Sequence, residues 1–139
     1  KQTDDREHTR ENVKSYRLQT GFLLYGELKD LLEKAQMLEE REFIDQIKAK
    51  AGKVKFMLLS GYFTQDKEAG TDILIVGNIK GNILSRIIGA FEKNIGKELR
   101  YTVFSEKEFM DRREMGDKFL YNLLERKYVK VVDEYNLLS

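Results

Sequence analysis

The chain has 139 residues, 41% of them hydrophobic and 35% charged, which fits one globular domain able to bury a sizeable core. Its 25 basic and 24 acidic side chains leave a formal charge of +1, which gives no whole-chain footprint for nucleic acid or an anionic membrane. Cysteine is absent and His8 is the only histidine, so disulfides, thiol chemistry, cysteine metal sites and a histidine base in the core are all excluded. The lack of cysteine agrees with a cytoplasmic location. No apolar run approaches a membrane span of about 18 residues.

Residues 1–20 are polar and mixed in charge, with a weak alternation from Val13 to Leu18 that predicts a short strand at the segment's end. Residues 22–52 read as helical, because Leu24, Leu28, Leu31, Leu32 and Ala35 recur at helical spacing, as do Phe43, Ile44, Ile47 and Ala51. The polar run Glu39-Glu40-Arg41 predicts a break between two helices, and Gly52 stands where a helix would be capped. A buried strand is expected at 54–60, a loop at 61–71, a second strand at 72–76 and a turn at 77–81. Ile83, Leu84, Ile87, Ile88, Phe91 and Ile95 then mark an amphipathic helix closed by Gly96.

A third strand is expected at 99–104. Ser105-Glu106-Lys107-Glu108 is a capping box, with Phe104 and Phe109 at hydrophobic-staple positions, and predicts a helix to about residue 115. A short helix follows around Phe119 to Leu124, then a last strand at 128–132. Lys53 and Lys55 read as solubilising residues beside a sheet edge, and Arg112-Arg113 and Arg126-Lys127 as solvated basic pairs. Strands alternating with helices predict an α/β or α+β fold around a small mixed sheet.

The chemistry concentrates in two places. Leu58-Leu59-Ser60-Gly61-Tyr62-Phe63 runs an apolar strand into a small-residue turn, and Asp72-Ile73-Leu74-Ile75-Val76 opens a second strand with an acid. Two-metal nucleotidyl transfer needs carboxylates to hold the ions. Acids at i and i+2 of a strand share a side and can do so together. A turn of glycine and a small residue lets backbone amides approach a phosphate. Here Leu74 stands where the second acid belongs, and Tyr62 stands where a small hydroxyl residue belongs.

These segments resemble a known family. Ser15-Tyr16-Arg17-Leu18, the helix at 24–32, the strands at 56–61 and 71–77, and Leu99 to Ser105 followed by Glu108-Phe109 look like the C-terminal half of bacterial and archaeal regulators. In those proteins a winged-helix DNA-binding domain precedes a minimal nucleotidyltransferase-like domain of the DNA polymerase beta superfamily. The resemblance covers about five-sixths of the chain. It implies a stub of the wing at 1–20, a nucleotidyltransferase-like domain at 21–133 and a C-terminal tail at 134–139. It implies DNA contact only through an upstream domain outside these residues. It also implies a cleft lined by Ser60, Gly61, Tyr62, Asp72 and Arg100, with Asp72 the vestige of a catalytic set. Active members carry a third acid on the strand that here holds Arg100 and Thr102.

The departures predict a non-catalytic interaction or sensor domain of a transcriptional regulator, without metal or other cofactor, that self-associates or meets another protein and has no membrane role. Two alternatives stand beside it. One is an active nucleotidyltransferase using magnesium and nucleotide, with loop acids Asp66 or Glu68 as the unplaced carboxylates. The other is an antitoxin-like partner of a small helical toxin. Residue by residue, Asp72 can equally be a loop cap, Tyr62 a half-buried rim aromatic and Arg100 a solvated strand residue. If Arg100 faces the cleft, it is expected to pair with Asp72.

Overall fold

Two uninterrupted apolar quartets, Phe56-Met57-Leu58-Leu59 and Ile73-Leu74-Ile75-Val76, form neighbouring strands at the middle of the sheet. Side chains alternate along a strand, so quartets of this kind must be covered on both faces. The computed structural model describes the backbone of residues 2–138 and the side chains of residues 24–138. Its elements are α1 (Gln2–Lys50), β1 (Gly52–Leu59), a 3-10 turn (Gly61–Thr64), β2 (Ile73–Ile79), α2 (Gly81–Ile95), β3 (Tyr101–Phe104), α3 (Glu106–Glu114), α4 (Lys118–Glu125) and β4 (Val129–Asp133). The fold is α+β, with a mixed sheet of order β3-β2-β1-β4. β1 is antiparallel to both β2 and β4, and β2 is parallel to β3.

The chain divides into two compact units, Lys1–Arg41 and Glu42–Ser139. The first is helical backbone. The second holds the sheet and two cores. On one face, Met57, Leu59, Ile73 and Ile75 pack with Phe43 and Ile47 from the end of α1 and with Leu84, Ile88 and Phe91 from α2. On the other face, Phe56, Leu58, Leu74 and Val76 pack with Phe104, Phe109, Leu120, Leu123 and Leu138. Among the described residues no helix is long and apolar enough to cross a membrane.

Several expectations are met. α2 ends at Gly96, whose φ of 69° is left-handed. Ser105 Oγ accepts from the Glu108 amide at 3.1 Å, and Phe104 and Phe109 are buried in one core. Others are corrected. α1 passes without a break through Glu39-Glu40-Arg41, because these are good helix formers and no glycine or proline interrupts them. The backbone across 13–18 is helical rather than a strand. The side chains there, and His8, lie outside the described residues. Gly52 follows the end of α1 by two residues with a φ of 115°, as expected of a helix-terminating glycine, and it also begins β1.

Gly77 sits inside β2, not in a turn. Its φ is 149°, and a Cβ there would overlap the Lys53 carbonyl opposite the register shift between Val54 and Phe56. Lys53 and Lys55 lie on the first half of β1, where β2 pairs on one side and the β4 ladder begins only at Phe56, so Lys53 does stand beside a local edge. Lys55 bridges Glu134 at 3.1 Å. Residues 134–138 are no tail. Asp133 accepts from the amides of Leu137 (3.0 Å) and Leu138 (2.6 Å), which seats Leu138 in the second core. Burial alone would raise the Asp133 carboxyl, but those amides and Lys130 hold it below the ordinary range.

Candidate functional site

The turn after β1 and the start of β2 meet at one carboxylate. Asp72 is 3% exposed. Its Oδ1 accepts from the Tyr62 amide at 2.8 Å and its Oδ2 from the Arg100 amide at 2.8 Å. The Arg100 guanidinium reaches Oδ1 at 3.5 Å, but that side chain is 55% exposed. Burial pushes the Asp72 carboxyl up. The amides of Arg100 and Tyr62, and then the guanidinium, outweigh it and hold the group below its ordinary value. The expected Asp72–Arg100 pairing is therefore present, yet the short bonds come from backbone amides and the ion pair is the longer contact.

Backbone geometry makes this convergence. Ser60 N donates to the Asp72 carbonyl at 2.8 Å, closing the strand ends. Gly61 has φ 53°, and a Cβ there would overlap Asp72 Oδ1 and stand 3.0 Å from the Thr71 carbonyl. A glycine is thus required both for the left-handed turn and for the approach of the carboxylate. The Asp72 and Ile73 amides both donate to the Arg100 carbonyl, at 2.9 and 3.1 Å. Thr71 Oγ1 donates in the same region, toward the carbonyls of Ile73 (3.1 Å) and Arg100 (3.2 Å), and accepts from Thr102 Oγ1 at 3.1 Å. Thr71 was not singled out from sequence. Its place directly before the strand-opening acid was the available signal, since threonine there can bond the adjoining strand.

Ser60 is fully buried, and its Oγ lies 3.4 Å from the Lys127 carbonyl. Tyr62 is partly buried, as expected of a rim aromatic. Its ring meets Phe63 edge-on at 5.1 Å, and Lys97 Nζ lies 5.6 Å from its centroid. Phe63 in turn stacks with Phe43 and Phe91. The turn is thereby pinned to the first core by aromatic packing.

The i+2 position tells against a second carboxylate. Leu74 is fully buried within the second core, beside Phe56 and Leu58. Asp66 and Glu68, the loop acids considered for an enzyme, are both held by Arg126, at 3.0 and 3.4 Å. Arg126 is correspondingly no free solvated residue, and its clamp on the loop was not legible as a pair in sequence. Among the described residues no three acids or histidines gather in a manner suited to a metal ion. The five residues predicted to line the cleft do come together, by backbone as much as by side chain. Compared with family models, curated proteins and solved structures, the chain matches none.

Proposed function

We propose that this chain is a nucleotidyltransferase-like domain without nucleotidyl transfer, serving as an interaction or sensor module of a DNA-binding transcriptional regulator. The observation that carries the reading is the state of Asp72. Both carboxylate oxygens face protein donors at 2.8 Å. A metal would have to displace two amides that already donate to the carboxylate at 2.8 Å. One carboxylate also supplies too little charge for two divalent ions. The i+2 position needed for a second ligand holds Leu74, committed to a core. The acid thus acts as a tie between the Gly61 turn and Arg100, the residue just before β3.

The regulator assignment rests on the sequence resemblance. Calorimetric titration with magnesium and ATP, alongside an assay for labelled nucleotide transfer, tests the loss of catalysis. The expected result is no transfer. Metal-dependent transfer that disappears in a folded Asp72→Asn variant would overturn the reading.

A further inference from the structure

The described side chains of the first unit belong to a single helix, so among the described residues its leucines have no second element within that unit to bury against. Leu24, Leu28, Leu31, Ala35 and Leu38 follow one another at steps of four, three, four and three residues. That is a heptad rhythm, with Leu28 and Ala35 at a and the other three at d. The four leucines are between 40% and 66% exposed. Tyr25 and Leu32, at the flanking e positions, are exposed as well. A contiguous apolar stripe of this kind marks a contact surface. A helix draws most of its stability from packing such a face.

We propose that a second copy of this chain covers the stripe, forming a parallel two-stranded coiled coil over residues 24–41. A period of 3.5 residues keeps the seam of one helix facing the seam of a like helix. In-register parallel pairing sets every leucine against its own copy. Antiparallel pairing about the same seam would set Leu38 against Gly21, which has no side chain to fill the layer. Charge complementarity points the same way. In a parallel pair, residue g of one helix meets residue e of the next heptad on the other. Lys34 then faces Glu39 of the second copy, twice by symmetry, and Glu27 faces Leu32 with no like charges opposed. The proposal is independent of what the site around Asp72 does.

The test uses the whole 139-residue chain in sedimentation equilibrium. The expected result is a species of twice the single-chain mass. Leu28→Lys combined with Leu31→Lys returns it to the single-chain mass, while urea unfolding of the sheet unit, followed by near-UV circular dichroism, stays unchanged. Lys34→Glu weakens the dimer by about tenfold, and adding Glu39→Lys restores it. Because the chain has no cysteine, Leu31→Cys supplies a unique thiol at d. It forms a covalent dimer with oxidised glutathione as the oxidant, whereas Glu33→Cys at an outward f position does not. Four results would each overturn the proposal: a single-chain mass for the unaltered protein, a dimer indifferent to the paired lysines, no rescue by Glu39→Lys, or equal cross-linking at positions 31 and 33.

Discussion

Asp72 keeps its charge in a buried place because two amides point at it, and that has measurable consequences. Replacing it with asparagine turns one of two charge-assisted acceptors into a donor facing a donor. Asp72→Asn is expected to cost about 1.5–3 kcal/mol in urea unfolding. The folded-state pKa is lowered, so this stabilisation is complete above the unfolded value near 3.9 and is lost as pH falls through the folded value. Unfolding midpoints of the native protein and the variant should therefore converge on acidification; a gap that persists in strong acid would contradict the assignment. Arg100 contributes through an exposed guanidinium at 3.5 Å. A double-mutant cycle of Asp72→Asn with Arg100→Leu should accordingly show a coupling of only about 0.2–1 kcal/mol. Gly61→Ala meets both a left-handed φ and the Asp72 oxygen, so it should destabilise by about 1–3 kcal/mol. A neutral alanine in thermal melts would mean the turn has another geometry in solution.

At the level of elements, α3 depends on Ser105, the cap just before its first residue. Ser105→Ala removes the acceptor for the Glu108 amide and should cost about 0.5–2 kcal/mol. The Glu108 side chain pairs with Arg112 at 3.5 Å, so Glu108→Ala should cost less than the serine change. Chemical denaturation of the two variants separates a full capping box from a single cap. The elements that were legible in sequence are those with one dominant local signal. The apolar quartets announced β1 and β2, Gly96 ended α2, and Ser105 began α3. Misread elements turned on polarity or on a lone glycine. Glu39-Glu40-Arg41 resembles a break by polarity, yet its helix propensity carries α1 through it. Gly77 looked like a turn because its actual constraint, the Lys53 carbonyl, comes from a different strand. Residues 134–138 looked like a tail because their anchor, Asp133, precedes them on β4. In the candidate site, Asp72 and Gly61 were readable. The two amides and the Arg126 clamp were not, because they depend on how distant segments meet.

For the molecule as a whole, the balance of charge sets the expectation toward nucleic acid. With a formal charge of +1, these 139 residues alone should bind a DNA duplex weakly and without sequence preference at physiological salt. Fluorescence anisotropy across a salt series measures this. Tight, selective binding would shift the reading of the whole chain from an interaction module to a DNA reader.

The order β3-β2-β1-β4 places the last strand of the chain beside the first. Met57 of β1 pairs with Val132 of β4, so one flank of the central strand is supplied from the far end of the sequence. During synthesis β1 and β2 can close as an antiparallel hairpin early, but the outer amides and carbonyls of β1 wait for residues 129–133. Until those residues emerge, a strongly apolar strand presents an open template to any extended chain nearby. The closure that brings residues 129–133 beside β1 joins segments distant in sequence, and pairing of that kind is a slow step in folding.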